Sequence, residues 1–317
     1  MSTAIVTGST GMLGIALINK LLSEGISVVA IARPNSKRIA NIPEDDRVTV
    51  VELELSDIEE LPGILNSLGI EKAEYFYHFA WDGTFGDARN NMDGQLLNVQ
   101  AAVNAVRAAA GLNCEVFLGA GSQAEYGRVP DGTKLSSTTP ANPENGYGIG
   151  KLCACHMTRV EAHKYNMKHI WTRILSVYGP YDGLHTMVMS GIGNMLDGKR
   201  ASYTKGEQMW DYIYCKDAAN AFYLAATRGI DGSIYPIGSG KVRPLSDYIK
   251  DIRDAINPEL EIGFGEVDYY PGQVMYLCAD IDKLTSDTGF VPEYTFAEGI
   301  KETLEYYKKY IYSSRES

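Results

Sequence analysis

The sequence predicts an α/β fold: a doubly wound parallel sheet, followed by a smaller, discontinuous α+β unit. Three observations predict it. Short apolar runs alternate with helical stretches through the first half of the chain. A glycine-spaced turn, Gly8-Ser9-Thr10-Gly11-Met12-Leu13-Gly14, joins the first apolar run to the first helical stretch. In the second half the alternation breaks, and residues 180–202 and 238–292 carry more Gly, Pro and Tyr.

Strands are expected at 4–7, 27–32, 47–51, 75–79, 115–119 and 169–175, each bounded by Gly, Pro or polar clusters. Several lack apolar–polar alternation, as strands covered on both faces do. Helices are expected at 11–23, with Leu13, Leu17, Leu21 and Leu22 apolar; at 98–110, alanine-rich and stopped by Gly111; and at 147–165. Strand–helix alternation with short links implies a parallel sheet. Residues 212–226 read as a strand and helix that return to the sheet. The last helix is expected at 297–310, before a polar, frayed tail at 313–317.

A chain of 317 residues with 45% apolar composition suits a larger domain plus a smaller one. The net charge of −11 argues against nucleic acid as the main partner. No apolar run approaches the ~20 residues of a membrane span. A strand beginning at Thr3 leaves no room for a signal peptide, and five scattered cysteines suit reduced thiols. Both observations point to the cytoplasm. Cys153, Cys155 and His156 stand at i, i+2 and i+3, a spacing that converges poorly, so no metal site is expected.

The glycine turn has the chemistry of a phosphate cradle. Gly8 permits a sharp turn, Gly11 lets backbone approach a pyrophosphate, and Gly14 lets helix and sheet pack closely. Thr10, Met12 and Leu13 open the helix, whose free N–H groups and partial positive charge favour an anion. At the end of the second strand an acidic residue would read the ribose hydroxyl of NAD. Here the strand ends in Arg33, followed by Ser36, Lys37 and Arg38. Arg33 suits a 2′-phosphate, with Lys37 or Arg38 adding contacts, so NADP(H) is preferred and NAD(H) is the alternative. Glu54 and Leu55 stand where the adenine edge would be read.

Tyr147 and Lys151 are four residues apart at a helix start, on one face. A lysine ammonium near a phenol is expected to lower its pKa and to make it a proton donor or acceptor for a carbonyl–alcohol pair. Ser122, just past the fifth strand, is placed to hydrogen-bond the reacting oxygen.

Together these residues resemble the extended short-chain dehydrogenase/reductases, the nucleotide-sugar epimerases, dehydratases and reductases with a Rossmann domain. The Gly-x-x-Gly-x-x-Gly spacing matches that family's glycine motif. Also matched are His78-Phe79-Ala80, the Asn98-Val99 helix start, Ser122 to Gly127, Tyr147 to Lys151, Arg173 to Pro180, and Asp211 to Tyr214 with Asp217. The resemblance implies a cofactor domain at 1–177 and 209–236 and a substrate domain at 178–208 and 237–317. It implies cofactor contacts from Phe79, Ala80, Trp81, Asn98, Tyr147, Lys151, Ile174 and Leu175, and substrate contacts from Trp81, Gln123, Ser176, Trp210 and Tyr270. A nucleotide sugar is the implied substrate, and a homodimer through the helices at 98–110 and 147–165 is the implied assembly.

The departures bear on the reaction. Family 4,6-dehydratases carry two acids after the serine-motif position, where this chain has Gln123-Ala124. Trp210 and Tyr270 stand where diphosphate-gripping arginines are usual; Lys199, Arg200, Lys205 and Arg243 are candidate replacements. The expected activity is an NADP(H)-dependent 4-ketoreductase of a 4-keto-6-deoxyhexose. A 4-epimerase with tightly held NAD is the first alternative, and a cofactor-binding sensor or scaffold without turnover is the second.

Overall fold

The computed structural model describes residues 2–313, so most of the polar tail lies outside the described residues. The chain starts with β1 (Thr3–Thr7), α1 (Met12–Ser23), β2 (Ser27–Ala32), β3 (Val48–Glu52), α2 (Leu61–Ser67) and β4 (Tyr75–His78). It continues through α3 (Met92–Gly111), β5 (Val116–Ser122), α4 (Gly146–Lys164), β6 (Lys168–Ile174) and β7 (Ser176–Tyr178). Next come α5 (Met187–Leu196), β8 (Ser202–Tyr203), β9 (Met209–Trp210), β10 (Tyr212–Tyr214), α6 (Cys215–Arg228) and β11 (Ile234–Ile237). The remainder comprises β12 (Arg243–Pro244), α7 (Leu245–Ile256), β13 (Gly263–Phe264), β14 (Tyr276–Leu277), α8 (Asp282–Thr288) and α9 (Phe296–Tyr306).

A seven-stranded sheet runs β11-β6-β5-β4-β1-β2-β3, with every pairing parallel. Alternate residues of its strands enter two cores. Ala4, Val6, Val28 and Ala30 pack with Leu17 and Leu21 of α1 and Ala218 and Phe222 of α6. Ile5, Val29, Ile31 and Phe76 pack with Leu61 and Leu65 of α2 and Ala105 and Ala109 of α3. Burial on both faces explains why β1 and β2 are largely apolar.

Three expectations are corrected. The strand expected at the return, β10, does not join the large sheet; it pairs in parallel with β7, and β11 makes the return instead. The helix expected from residue 98 begins at Met92, because the Asn91 side chain caps it, accepting from Gly94 N at 3.2 Å. Leu96 and Leu97 in that first stretch face outward, which hides the helical period. The last helix, expected to 310, ends at Tyr306 and continues as a π-helical stretch, Tyr307–Tyr312.

The smaller α+β part has its own core. Tyr178, Val188, Ile192, Tyr248, Ile252, Phe296 and Ile300 bring β7, α5, α7 and α9 together. Tyr178 is buried here and donates to the Phe296 carbonyl at 3.1 Å. Asp211, also buried, joins three segments: it accepts from Ser239 N and Oγ, Gly240 N and Ala279 N, at 2.6 to 3.0 Å. This clamp holds β9, β14 and the residues after β11 over the C-terminal edge of the large sheet.

Candidate active site

In a parallel sheet all strands end on one edge, so their last residues meet there. Thr7, His78 and Ser122 end β1, β4 and β5. The Thr7 hydroxyl accepts from Phe79 N at 3.1 Å and Ala80 N at 3.2 Å, and contacts His78 Nδ1 at 3.1 Å. Burial pushes His78 down to about 3, so its ring is neutral and serves as scaffold.

The glycine turn fits a phosphate cradle. Gly8 has φ +68°, and a side chain there would meet Phe79 and Ala80 backbone. A Cβ at Gly14 would collide with the Gly8 carbonyl. At Gly11 a Cβ would stay in ordinary contact, 3.5 Å from Gly8 O, so nothing in the chain itself requires glycine there. The open space beside it is what an approaching ligand needs. The N–H groups of Met12, Leu13 and Gly14 precede the bond from Ile15 N to Gly11 O, and no side chain caps them. The Met12 and Leu13 side chains themselves turn away into the cores.

A cleft of about 320 Å³ opens from this turn. Gly8, Thr10, Gly11, Arg33, Leu55, Phe79, Ala80 and Trp81 line it. Arg38 lines it rather than Lys37, and Leu53 rather than Glu54; Lys37 and Glu54 are exposed outside it. Asn98 makes no wall: its amide is spent on the Asp82 backbone, donating to O at 2.8 Å and accepting from N at 3.0 Å. Leu175 packs in a core with Tyr126 and Leu135, and Ile174 against the main core, so neither lines the cleft. Arg33 is exposed and, among the described residues, pairs with Asp82 at 3.5 Å.

Tyr147, Lys151 and Ser122 converge. Tyr147 stands edge-on to Trp81, with ring centroids 6.4 Å apart, and Lys151 Nζ lies 3.9 Å over the Trp81 ring. Trp81 is held by its indole N–H, which donates to Gln95 Oε1 at 2.8 Å. The Ser122 hydroxyl accepts from Ala124 N at 3.1 Å, leaving its proton free to donate.

The electrostatics differ from expectation. Lys151 is buried and donates to the Ala120 carbonyl at 2.6 Å, with Nζ 5.9 Å from the Tyr147 centroid. Burial lowers its pKa to about 7, against an opposing pull from Glu125. Tyr147 is not acidified on balance: burial raises its pKa, while the Ser122 hydroxyl and the Arg89 charge pull it down. Desolvation of the phenolate outweighs the nearby cations.

Behind the serine lies a carboxylate absent from the predicted site. Glu125 is fully buried; it accepts from Ser122 N at 2.8 Å, Trp171 Nε1 at 3.0 Å and Arg173 Nε at 2.8 Å. Ser122-x-x-Glu125 is a capping box around one short turn, a signal present in the sequence.

A second cleft, about 550 Å³, opens on the other side of Ser122. Gln123, Trp210 and Tyr270 line it, and Gln123 Oε1 is buried there without a partner among the described residues. Ser176 does not line it; its hydroxyl accepts from Trp210 Nε1 at 2.8 Å. Lys199, Arg200, Lys205 and Arg243 lie elsewhere, and three of them are paired, with Asp197, Glu266 and Asp251. The arginines on this wall are Arg89 and Arg128, the latter 2.8 Å from Glu144. Neither has a sequence motif to announce it. Among the described residues no three His, Cys, Asp or Glu converge as metal ligands, and no helix is long and apolar enough to cross a membrane.

The model of the NAD dependent epimerase/dehydratase family matches residues 4–238. The chain belongs to that family. Among its relatives is the Escherichia coli dTDP-glucose 4,6-dehydratase, 26% identical over 337 residues, spanning 96% of this chain and 92% of that protein. Among solved structures, UDP-glucose 4-epimerase of Thermotoga maritima superposes with a TM-score of 0.83 at 23% identity, covering 97% of this chain and 99% of that one. An epimerase of Methanothermobacter thermautotrophicus gives 0.87 at 18% identity, covering 100% and 95%. These likenesses show the shared fold.

The site's electrostatics can be tested at two residues. Glu125→Gln leaves Arg173 buried without a counter-charge, and is expected to cost about 3–5 kcal/mol in urea unfolding; an unchanged midpoint would sink the role given to Glu125. Lys151→Met tests the buried ammonium. Between pH 7 and 10.5 the unfolded chain holds a proton that folded Lys151 has lost, so folding is penalised most at or below 7 and not above 10.5. The variant should therefore gain stability most at neutral pH, and the gain should shrink as pH rises through that window. A gain independent of pH would contradict the depressed pKa.

Proposed function

We propose that this chain is an NADP(H)-dependent reductase of a nucleotide-linked sugar, acting on a 4-keto-6-deoxyhexose. One observation carries the reading: the cleft wall at Ser122, whose hydroxyl contacts Tyr147, presents Gln123 and Ala124 instead of acids, while Tyr147 stands against Trp81 of the other cleft. A dehydratase needs carboxylates to move protons there; Glu125, the next acid, is locked behind Ser122 by three donors. The relatives support the substrate class, since the Escherichia coli protein is a dehydratase of dTDP-glucose and the Thermotoga protein was solved with UDP-glucose.

The cofactor cleft fits a dinucleotide. The free N–H groups after Gly11 would take the pyrophosphate, and Arg33 and Arg38 a 2′-phosphate. A bound nicotinamide would supply the hydride. Tyr147 donates the proton to the substrate's carbonyl oxygen, and Ser122, its lone pair occupied by Ala124 N, directs its hydroxyl proton at that oxygen. Lys151 is placed to bind a ribose hydroxyl and to reload Tyr147.

A 4-epimerase uses the same three groups and is the second reading; the UDP-glucose 4-epimerase of Thermus thermophilus, which superposes with a TM-score of 0.82, was solved in complex with NAD. Cofactor exchange separates the two. Purified protein is expected to release its cofactor on dialysis and to bind NADPH more tightly than NADH by fluorescence titration, with Arg33→Ala/Arg38→Ala erasing the preference. It should then oxidise NADPH on adding 4-keto-6-deoxy sugar nucleotides. NAD that resists dialysis would favour the epimerase.

The five described cysteines are all unpaired, which supports a reducing compartment such as the cytoplasm. We also infer a homodimer. α3 and α4 lie side by side and leave Leu96, Leu97, Ile149, Met157 and Val160 exposed, Leu97 at 70% and Val160 at 61%. Such a patch suits a two-fold, self-complementary interface. Light scattering should give a dimer mass that Leu97→Asp/Val160→Asp halves; a parent monomer would rule the interface out.

A further inference from the structure

We propose that Arg89 is a positioning residue for Tyr147, supplying the positive charge that lets its phenol work as an acid-base group. The inference rests on the assignment of Tyr147 as the proton-transfer residue. The Arg89 guanidinium carbon lies 4.7 Å from the Tyr147 ring centroid, nearer than Lys151 Nζ at 5.9 Å. Arg89 is half-buried, lines the second cleft and has no carboxylate partner among the described residues, so its charge is uncommitted.

The backbone that carries it is anchored to α4. The turn that carries it, Gly86–Asn90, is joined to the start of α4: Gly146 N donates to Asn90 Oδ1 at 3.0 Å. A Cβ on Gly146 would sit 2.9 Å from the Arg89 carbonyl, so glycine there allows the turn to touch the helix one residue before Tyr147. The groups facing Tyr147 are Arg89 from this turn, Trp81 after β4, Ser122 at the end of β5, Glu125 behind it, and Lys151 one turn along α4.

Among these, only two are cations, and they differ in kind. Lys151 is desolvated, has its proton directed at Ala120 O, and loses charge above about pH 7. A guanidinium stays charged throughout. Arg89 also pulls the Tyr147 pKa down against burial, while Glu125 pushes it up. Arg89 therefore adds a permanent charge at this phenol from a loop residue outside the Tyr-x-x-x-Lys pair.

The test reads Tyr147 directly and needs no substrate, so a wrong sugar leaves it valid. Full-length protein carrying tyrosine isotopically labelled at ring Cζ is titrated by NMR, and Tyr147→Phe assigns the resonance. Circular dichroism checks that each variant is folded. Arg89→Gln is expected to raise the Tyr147 pKa by about one unit or more, the size of a lost neighbouring charge, and Arg89→Lys to restore part of it. With a substrate in hand, the acid limb of alcohol oxidation should move up by the same shift. Equal titration in parent and Arg89→Gln would overturn the proposal. So would a parent Tyr147 that stays neutral across the whole pH range in which the protein is folded. Retained turnover in Tyr147→Phe would instead refute the underlying assignment of Tyr147.

Discussion

The buried pair of Glu125 and Arg173 is the constraint on which the site depends. Both side chains are almost without solvent contact, 2.8 Å apart, in a region where an unpaired charge is strongly destabilising. The carboxylate is satisfied only when β5, β6 and the turn after β5 are all in place, because its donors come from Ser122, Trp171 and Arg173. The same bonds fix the serine backbone. Gly121 and Gly119 leave the space that Glu125 and Trp171 fill; a Cβ at either would collide with the Trp171 ring. A small set of contacts thus links the sheet's integrity to the direction of one hydroxyl.

Around this pair the neighbourhood is dry, and desolvation dominates its electrostatics. His78 is held neutral, Lys151 is poised near neutrality, and Tyr147 is raised rather than lowered. A dry site strengthens every remaining charge interaction. Asp211 works at a different place on the same logic: four donors compensate one buried carboxylate and bring the smaller part over the sheet edge.

Much of this was legible in the residues. The six early strands lie within one residue of expectation at their N-terminal ends, since burial on both faces leaves uninterrupted apolar runs. The glycine turn was legible because Gly8 and Gly14 answer to separate steric demands and Gly11 leaves open space beside the helix start. Less legible were positions whose role depends on distant neighbours. Asn98 and Ser176 carry polar groups that suggested ligands, but Asp82 and Trp210 already use them. Arg38 and Leu53 line the cleft beside the expected Lys37 and Glu54, a shift of one residue that only the path of the loop sets.

The sequence by itself determined the parallel sheet, the phosphate-type turn and the Ser122, Tyr147 and Lys151 set, because these follow from local period and spacing. The family assignment followed from the same motifs. Tertiary structure alone decided which cations lie beside Tyr147. Lys151 and Arg89 lie 62 positions apart in the chain, and no pattern in either segment relates them. Their distances to one phenol, and the burial that weakens one charge while sparing the other, arise only when the turn before α3 is seated against the start of α4.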